Sequence, residues 1–133
     1  MKKMVSKPIG RPRIVLVGCG DVGMRLLPLL VDRFRVFALT SQPARCAALR
    51  AAGATPLVAN LDTPSTLHRL RGLADIVVHL APPQSEGALD QRTRNLVAIL
   101  PRHGTLVYVS TTGVYGDCGG ACFDETRPVA PVN

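Results

Sequence analysis

Hydrophobic and polar positions follow two different periods along this chain, in alternating blocks. Ile14-Val15-Leu16-Val17 is an unbroken apolar run, mostly β-branched, and predicts a buried strand over residues 13–18. Helical spacing follows. Val22, Leu26, Leu29 and Leu30 fall on one face of a helix expected from Gly20 to about Arg33, kinked at Pro28. Residues 35–40 predict a second strand. Residues 42–52 predict a second helix, packed through Ala44, Ala47, Ala48 and Ala51 and stopped by Gly53. A third strand is expected over residues 55–59. Thr63 and Pro64 then open a short helix as N-cap and first-turn proline, with Leu67 and Leu70 as its apolar contacts. Residues 75–80 predict a fourth strand, closed by Ala81-Pro82-Pro83. A helix over about 87–100 and a fifth strand over 105–109 complete the series. From Ser110 onward Gly, Thr and Pro dominate, and the chain reads as loop.

Repeated strand–helix units with short connections predict an α/β protein. The expected architecture is a doubly wound parallel sheet, the Rossmann fold, with about five strands in order 3-2-1-4-5. Unbroken apolar strands agree, because parallel strands are buried on both faces. In such a sheet the ligand crevice lies at the carboxyl ends of strands one and four. Residues 18–23 and 81–83 both fall there.

Composition sharpens this picture. A chain of 133 residues suits one domain with a real core, and with no Trp and few aromatics that core must be Val, Leu, Ile and Ala. The net charge is +7, but Lys2, Lys3, Lys7, Arg11 and Arg13 supply five positive charges near the start. Residues 1–12 therefore read as a flexible basic arm ahead of a folded unit over 13–133. A solvated arm is favoured over a nucleic-acid partner. No apolar run reaches the ~18 residues of a membrane helix, so no membrane partner is expected. No secretory signal pattern precedes Cys19, Cys46, Cys118 and Cys122, which predicts a cytoplasmic protein with reduced thiols. Cys118-x-x-x-Cys122 lacks neighbouring ligands for a metal, and none is expected.

The densest chemistry lies in Gly18-Cys19-Gly20-Asp21-Val22-Gly23, a G-x-G-x-x-G spacing between strand and helix. The first glycine permits the tight turn. The second lets backbone approach a pyrophosphate. The third lets the helix pack closely. Unpaired N–H groups and the positive end of the helix dipole then face the anion. Asp21 is expected to cap the helix and point away. An acid at the end of strand two commonly selects NAD. Here Leu39, Thr40, Ser41 and Gln42 stand at that place. Thr40 and Ser41 offer hydroxyls and Arg45 offers a fork matched to phosphate, which favours NADP over NAD. Arg45 as a solvent-facing helix residue stays open. His79, inside an apolar strand, reads as a buried and satisfied histidine.

Three stretches together resemble a known family. They are residues 18–23, Leu80-Ala81-Pro82-Pro83, and Val109-Ser110-Thr111-Thr112-Gly113-Val114-Tyr115-Gly116-Asp117. The pattern is similar to the NAD-dependent epimerase/dehydratase family, the extended and atypical branch of the short-chain dehydrogenases/reductases, over roughly residues 13–130. The resemblance implies an NAD(P)-binding Rossmann domain. It also implies hydride transfer between nicotinamide and a nucleotide-sugar or other small alcohol or carbonyl. By family position, Asn60 and Leu61 would sit beside the adenine, with Asp62 as a helix cap instead. Ala81, Pro82 and Pro83 would line the ribose on the nicotinamide side through backbone groups, with Leu80 beside them in the cofactor site, and a plain rigid turn stays open as the alternative. Ser110 or Thr111 would polarise the substrate oxygen, against a bland role in local turn bonding. Tyr115 would shape the substrate pocket.

One departure matters. Redox members pair a Tyr with a Lys four residues later, the Lys lowering the Tyr pKa. The lysines here are Lys2, Lys3 and Lys7, and Thr112 and Gly119 stand four residues after Tyr108 and Tyr115. Complete members also carry a C-terminal substrate region. The expectation is therefore an incomplete member whose fifth strand leaves an apolar edge at 106–109. The implied function is an oxidoreductase or epimerase, and the alternative is a non-catalytic dinucleotide-binding or redox-sensing module. The substrate is unassigned, and self-association into a homo-oligomer stays open.

Overall fold

The computed structural model describes residues 10–131. Most of the expected N-terminal arm, residues 1–9 with all three lysines, lies outside the described residues. Five strands form one parallel sheet: β1 (Arg13–Val17), β2 (Arg35–Thr40), β3 (Thr55–Val58), β4 (Ile76–His79) and β5 (Thr105–Tyr108). Their order is β3-β2-β1-β4-β5, as the strand–helix pattern predicts. The chain reverses its direction of winding between β1 and β4, the switch point beside which open α/β sheets place their ligand crevice.

Strand alternation divides the core into two layers. Ile14, Leu16, Val36 and Ala38 face one side, where Leu27 and Leu49 complete the packing. Val15, Val17, Phe37, Leu39 and Val77 face the other, against Leu67, Leu70 and Leu96. The short 3₁₀ segment Pro64–Leu70 supplies Leu67 and Leu70, both buried as its spacing predicts. Thr63 does not cap it through its side chain. The Thr66 hydroxyl closes that corner instead, accepting from the Asn60 amide at 2.9 Å. Pro56 sits within β3, where the sheet edge spares it a ladder partner on one side.

Three helices cover the faces: α1 (Asp21–Leu30), α2 (Cys46–Ala51) and α3 (Gln91–Ile99). Each is shorter than its apolar pattern predicts. α1 runs through Pro28, which is exposed, and stops at Leu30 rather than Arg33. Its buried face is Gly23 and Leu27, with Met24 and Leu30 packed beside them. Val22 and Leu29 are exposed, and of the stripe read from the sequence only Leu30 packs against the core. Ahead of α2, Pro43–Arg45 forms a separate 3₁₀ turn. Leu49 anchors α2, while Ala44, Ala47, Ala48 and Ala51 are exposed. α3 begins only at Gln91, because Asp90 caps it by accepting from the Thr93 amide at 3.0 Å.

β5 is the thin side of the sheet. Leu106, Val107, Tyr108 and Val109 are all exposed, the apolar edge anticipated from the sequence. Among the described residues no helix is long and apolar enough to cross a membrane.

Candidate functional site

The first turn after β1 is built by its glycines. Gly18 has φ +82°, a conformation natural only to glycine. A Cβ there would lie 2.8 Å from the Ala81 amide nitrogen. The reason is that the end of β4 folds onto β1: the amides of Leu80 and Ala81 both donate to the Val17 carbonyl, at 2.8 and 3.0 Å. Gly20 differs, since a Cβ on it would meet nothing within 4 Å. Its backbone faces open space at the N-terminus of α1, where the first N–H groups have no helical partner. Gly23 packs against the loop itself. A Cβ there would stand 2.8 Å from the Cys19 Sγ.

These residues form one wall of a cleft of about 460 Å³ at the carboxyl ends of the strands. Gly18, Cys19 and Gly20 line it from β1, and Leu80, Ala81 and Pro82 from β4. Thr40, Ser41 and Arg45 line it from the end of β2, and Asn60 and Leu61 from the end of β3. The sequence-predicted binding residues are thus brought together, with three exceptions. Asp21, Val22 and Gly23 are not on the cleft wall, because they form the first turn of α1. Asp21 makes no side-chain cap and pairs at the surface with Arg25, 3.0 Å away.

Five further residues line the cleft that the sequence pattern does not mark as binding: Leu39, Gln42, Ala59, Asp62 and Arg92. Asp62 does not cap the following turn. Its carboxylate accepts from Arg92 Nε at 2.8 Å and Nη2 at 3.0 Å. Those bonds hold its carboxyl below the usual range. Asn60 Oδ1 accepts from the Asp62 amide at 2.9 Å, so the oxygen expected to meet an adenine amine already serves a turn. Arg45 has no ion-pair partner among the described residues. Burial raises the Cys19 thiol, and the Arg45 charge pulls it the other way.

Ser110, Thr111 and Tyr115 do not line this cleft. Ser110 and Thr111 are exposed just beyond β5, two strands from the glycine turn. Tyr115 packs edge-on against Phe123, ring centroids 4.8 Å apart, and Arg127 lies over the other ring. His79 is buried, as expected, but only half satisfied. Its Nε2 lies 2.8 Å from the Thr93 hydroxyl, and Nδ1 makes no hydrogen bond among the described residues. The Thr93 hydroxyl donates its one hydrogen to Asp90 Oδ2 at 2.6 Å, so His79 Nε2 is the donor. Burial pushes His79 below its ordinary range, against the opposite pull of Asp90. The four cysteines are free thiols.

No protein-family model matches the chain, and no curated protein matches it in sequence. Solved structures do match. A functionally unknown conserved protein from Silicibacter pomeroyi shares 28% identity over 92% of this chain and 43% of its own, with a TM-score of 0.63. A candidate NAD-dependent epimerase/dehydratase from Methylobacillus flagellatus shares 26% identity over 93% of this chain and 46% of its own, TM-score 0.68. A short-chain dehydrogenase/reductase superfamily protein from Agrobacterium tumefaciens, solved with bound NAD, shares 20% identity over 91% and 40%, TM-score 0.70, a likeness of fold alone. The chain spans less than half the length of these three proteins. Together the strand order and these likenesses agree on a Rossmann-like α/β fold.

Proposed function

We propose that this chain is the cofactor-binding unit of an NAD(P)-dependent oxidoreductase or epimerase of the epimerase/dehydratase type. The open cradle over Gly20 carries the reading. A pyrophosphate needs backbone without a side chain in front of it, beside unpaired helix N–H groups, and residues 18–22 offer both. Asp21 and Val22 contribute through their amides rather than their side chains. Leu61 and Asn60 bound the adenine end, and Ala81 and Pro82 the ribose toward the nicotinamide. The bound cofactor supplies the hydride chemistry. Ser110 or Thr111, beyond β5, would orient a substrate alcohol or carbonyl, and Tyr115 would shape that region. The setting is cytoplasmic.

NADP is the preferred cofactor in this reading. No carboxylate stands at the end of β2 to repel a 2′-phosphate. Thr40, Ser41 and the unpaired Arg45 line the cleft there instead. Calorimetric titration with NADPH and NADH tests both parts. NADPH binds more tightly, and Arg45→Gln narrows the gap by roughly tenfold, the scale of a charge-assisted hydrogen bond. Tighter NADH binding overturns the preference, and binding of neither overturns the reading.

A second reading, a non-catalytic dinucleotide sensor, draws support from one observation. Ser110, Thr111 and Tyr115 lie off the cleft wall, and the Tyr115 ring is packed against Phe123. Hydride exchange between NADPH and a ketone or nucleotide-sugar would exclude it.

A further inference from the structure

Asp62 is the one acid among the described residues that line the cleft, and Arg92 holds it by both oxygens. The same guanidinium donates from Nη1 to the Pro82 carbonyl at 3.1 Å. Arg92 therefore ties the loop after β3 to the loop after β4, across the cleft mouth. One turn along α3, Asn95 Nδ2 donates to the Leu61 carbonyl at 2.8 Å. α3 thus grips the adenine-side loop at two successive points.

Resting on the dinucleotide reading, we propose that Arg92 is a positioning residue for a phosphate-bearing dinucleotide, acting through Asp62. With the pair intact, the Asp62 charge is matched and Arg45 leaves the cleft net positive. Without Arg92, a bare carboxylate stands in the same cleft as the ligand phosphates and cancels the charge of Arg45. Arg92 and Asp62 side chains are 28% and 50% exposed, so solvent limits what the pair contributes to the fold itself. The consequence falls on the charged ligand, and more on NADPH than on NADH, because NADPH carries the additional phosphate.

Binding of NADPH and NADH to the full chain, at low and high salt, tests this with Arg92→Gln, Asp62→Asn, the double variant and Arg92→Lys. Melting is recorded for each. Arg92→Gln weakens NADPH roughly five- to tenfold, more than NADH, and added salt shrinks the loss. The double variant recovers to within about twofold of the parent, because no bare acid remains. Arg92→Lys, which keeps the charge, loses less than Arg92→Gln. Should Arg92→Gln fail to fold, Asp62→Asn carries the test: it tightens NADPH binding, because the Arg92 charge is then unmatched in the cleft, and unchanged or weaker binding overturns the proposal. A double variant as weak as Arg92→Gln overturns it too, since Arg92 would then act without Asp62. Unchanged binding in Arg92→Gln does the same while leaving the dinucleotide reading intact. A parent chain that binds neither nucleotide overturns that reading, and this proposal with it.

Discussion

Gly18 and Ala81 approach so closely that a Cβ on Gly18 would stand 2.8 Å from the Ala81 amide nitrogen. The contact joins the two strands between which the cleft opens, and Gly18 also holds φ +82°. Gly18→Ala therefore meets backbone rather than a movable side chain. It lowers stability by roughly 2–4 kcal/mol, from left-handed strain and overpacking together. Urea denaturation reads this as a lower midpoint at constant slope. An unmoved midpoint would mean that the turn is looser than described.

Gly23 meets a softer neighbour. Its added methyl would press on the Cys19 Sγ at 2.8 Å. Gly23→Ala costs about 1–2 kcal/mol, and Cys19→Ala in the same chain recovers much of it. Additive losses in the double variant would separate the two positions and remove the packing explanation for the third glycine.

The five strands and their order were legible because each strand is a short apolar run and parallel crossovers have one hand. The inner face of α1 was not. Leu26-Leu27 and Leu29-Leu30 are adjacent leucine pairs, so helical spacing fits two stripes equally. The close seat of Gly23 on Cys19 decides between them, and that is a tertiary contact. The same holds for the cleft. Residues 18–20 and 80–82 announce themselves by local pattern. Arg92 reaches Asp62 across thirty positions of sequence, and nothing near either residue signals the pair. Asp90 is similar: its cap on Thr93 shortens α3 to Gln91 although the apolar pattern runs on.

His79 makes stability depend on pH. Its folded-state pKa lies below the unfolded value of about 6.5. The unfolded chain thus takes up a proton that the buried ring refuses. Stability is fully present above the unfolded value and is lost as pH falls below it, toward the depressed folded one. Asp90 faces the ring through Thr93, and Tyr108 lies against it at 5.4 Å between centroids. Asp90 holds its own carboxyl low despite burial, through Thr93 and Tyr108, so it stays charged in this window. Urea midpoints fall between about pH 7.5 and about pH 5.5, and His79→Gln flattens that slope. An equal slope in the variant would place the titrating group elsewhere.

In the function proposed above, the space in front of Gly20 is kept for a pyrophosphate. Gly20→Ala tests it most directly, because the φ of −86° is negative and the added Cβ meets nothing within 4 Å, leaving only the ψ of −145° as a source of strain. NADPH is titrated into parent and variant, and both are melted without ligand. The variant folds with at most a slightly lower melting point, the parent binds NADPH, and the variant binds it at least a hundredfold more weakly, about 2.7 kcal/mol. Equal NADPH affinity in the two chains would contradict it.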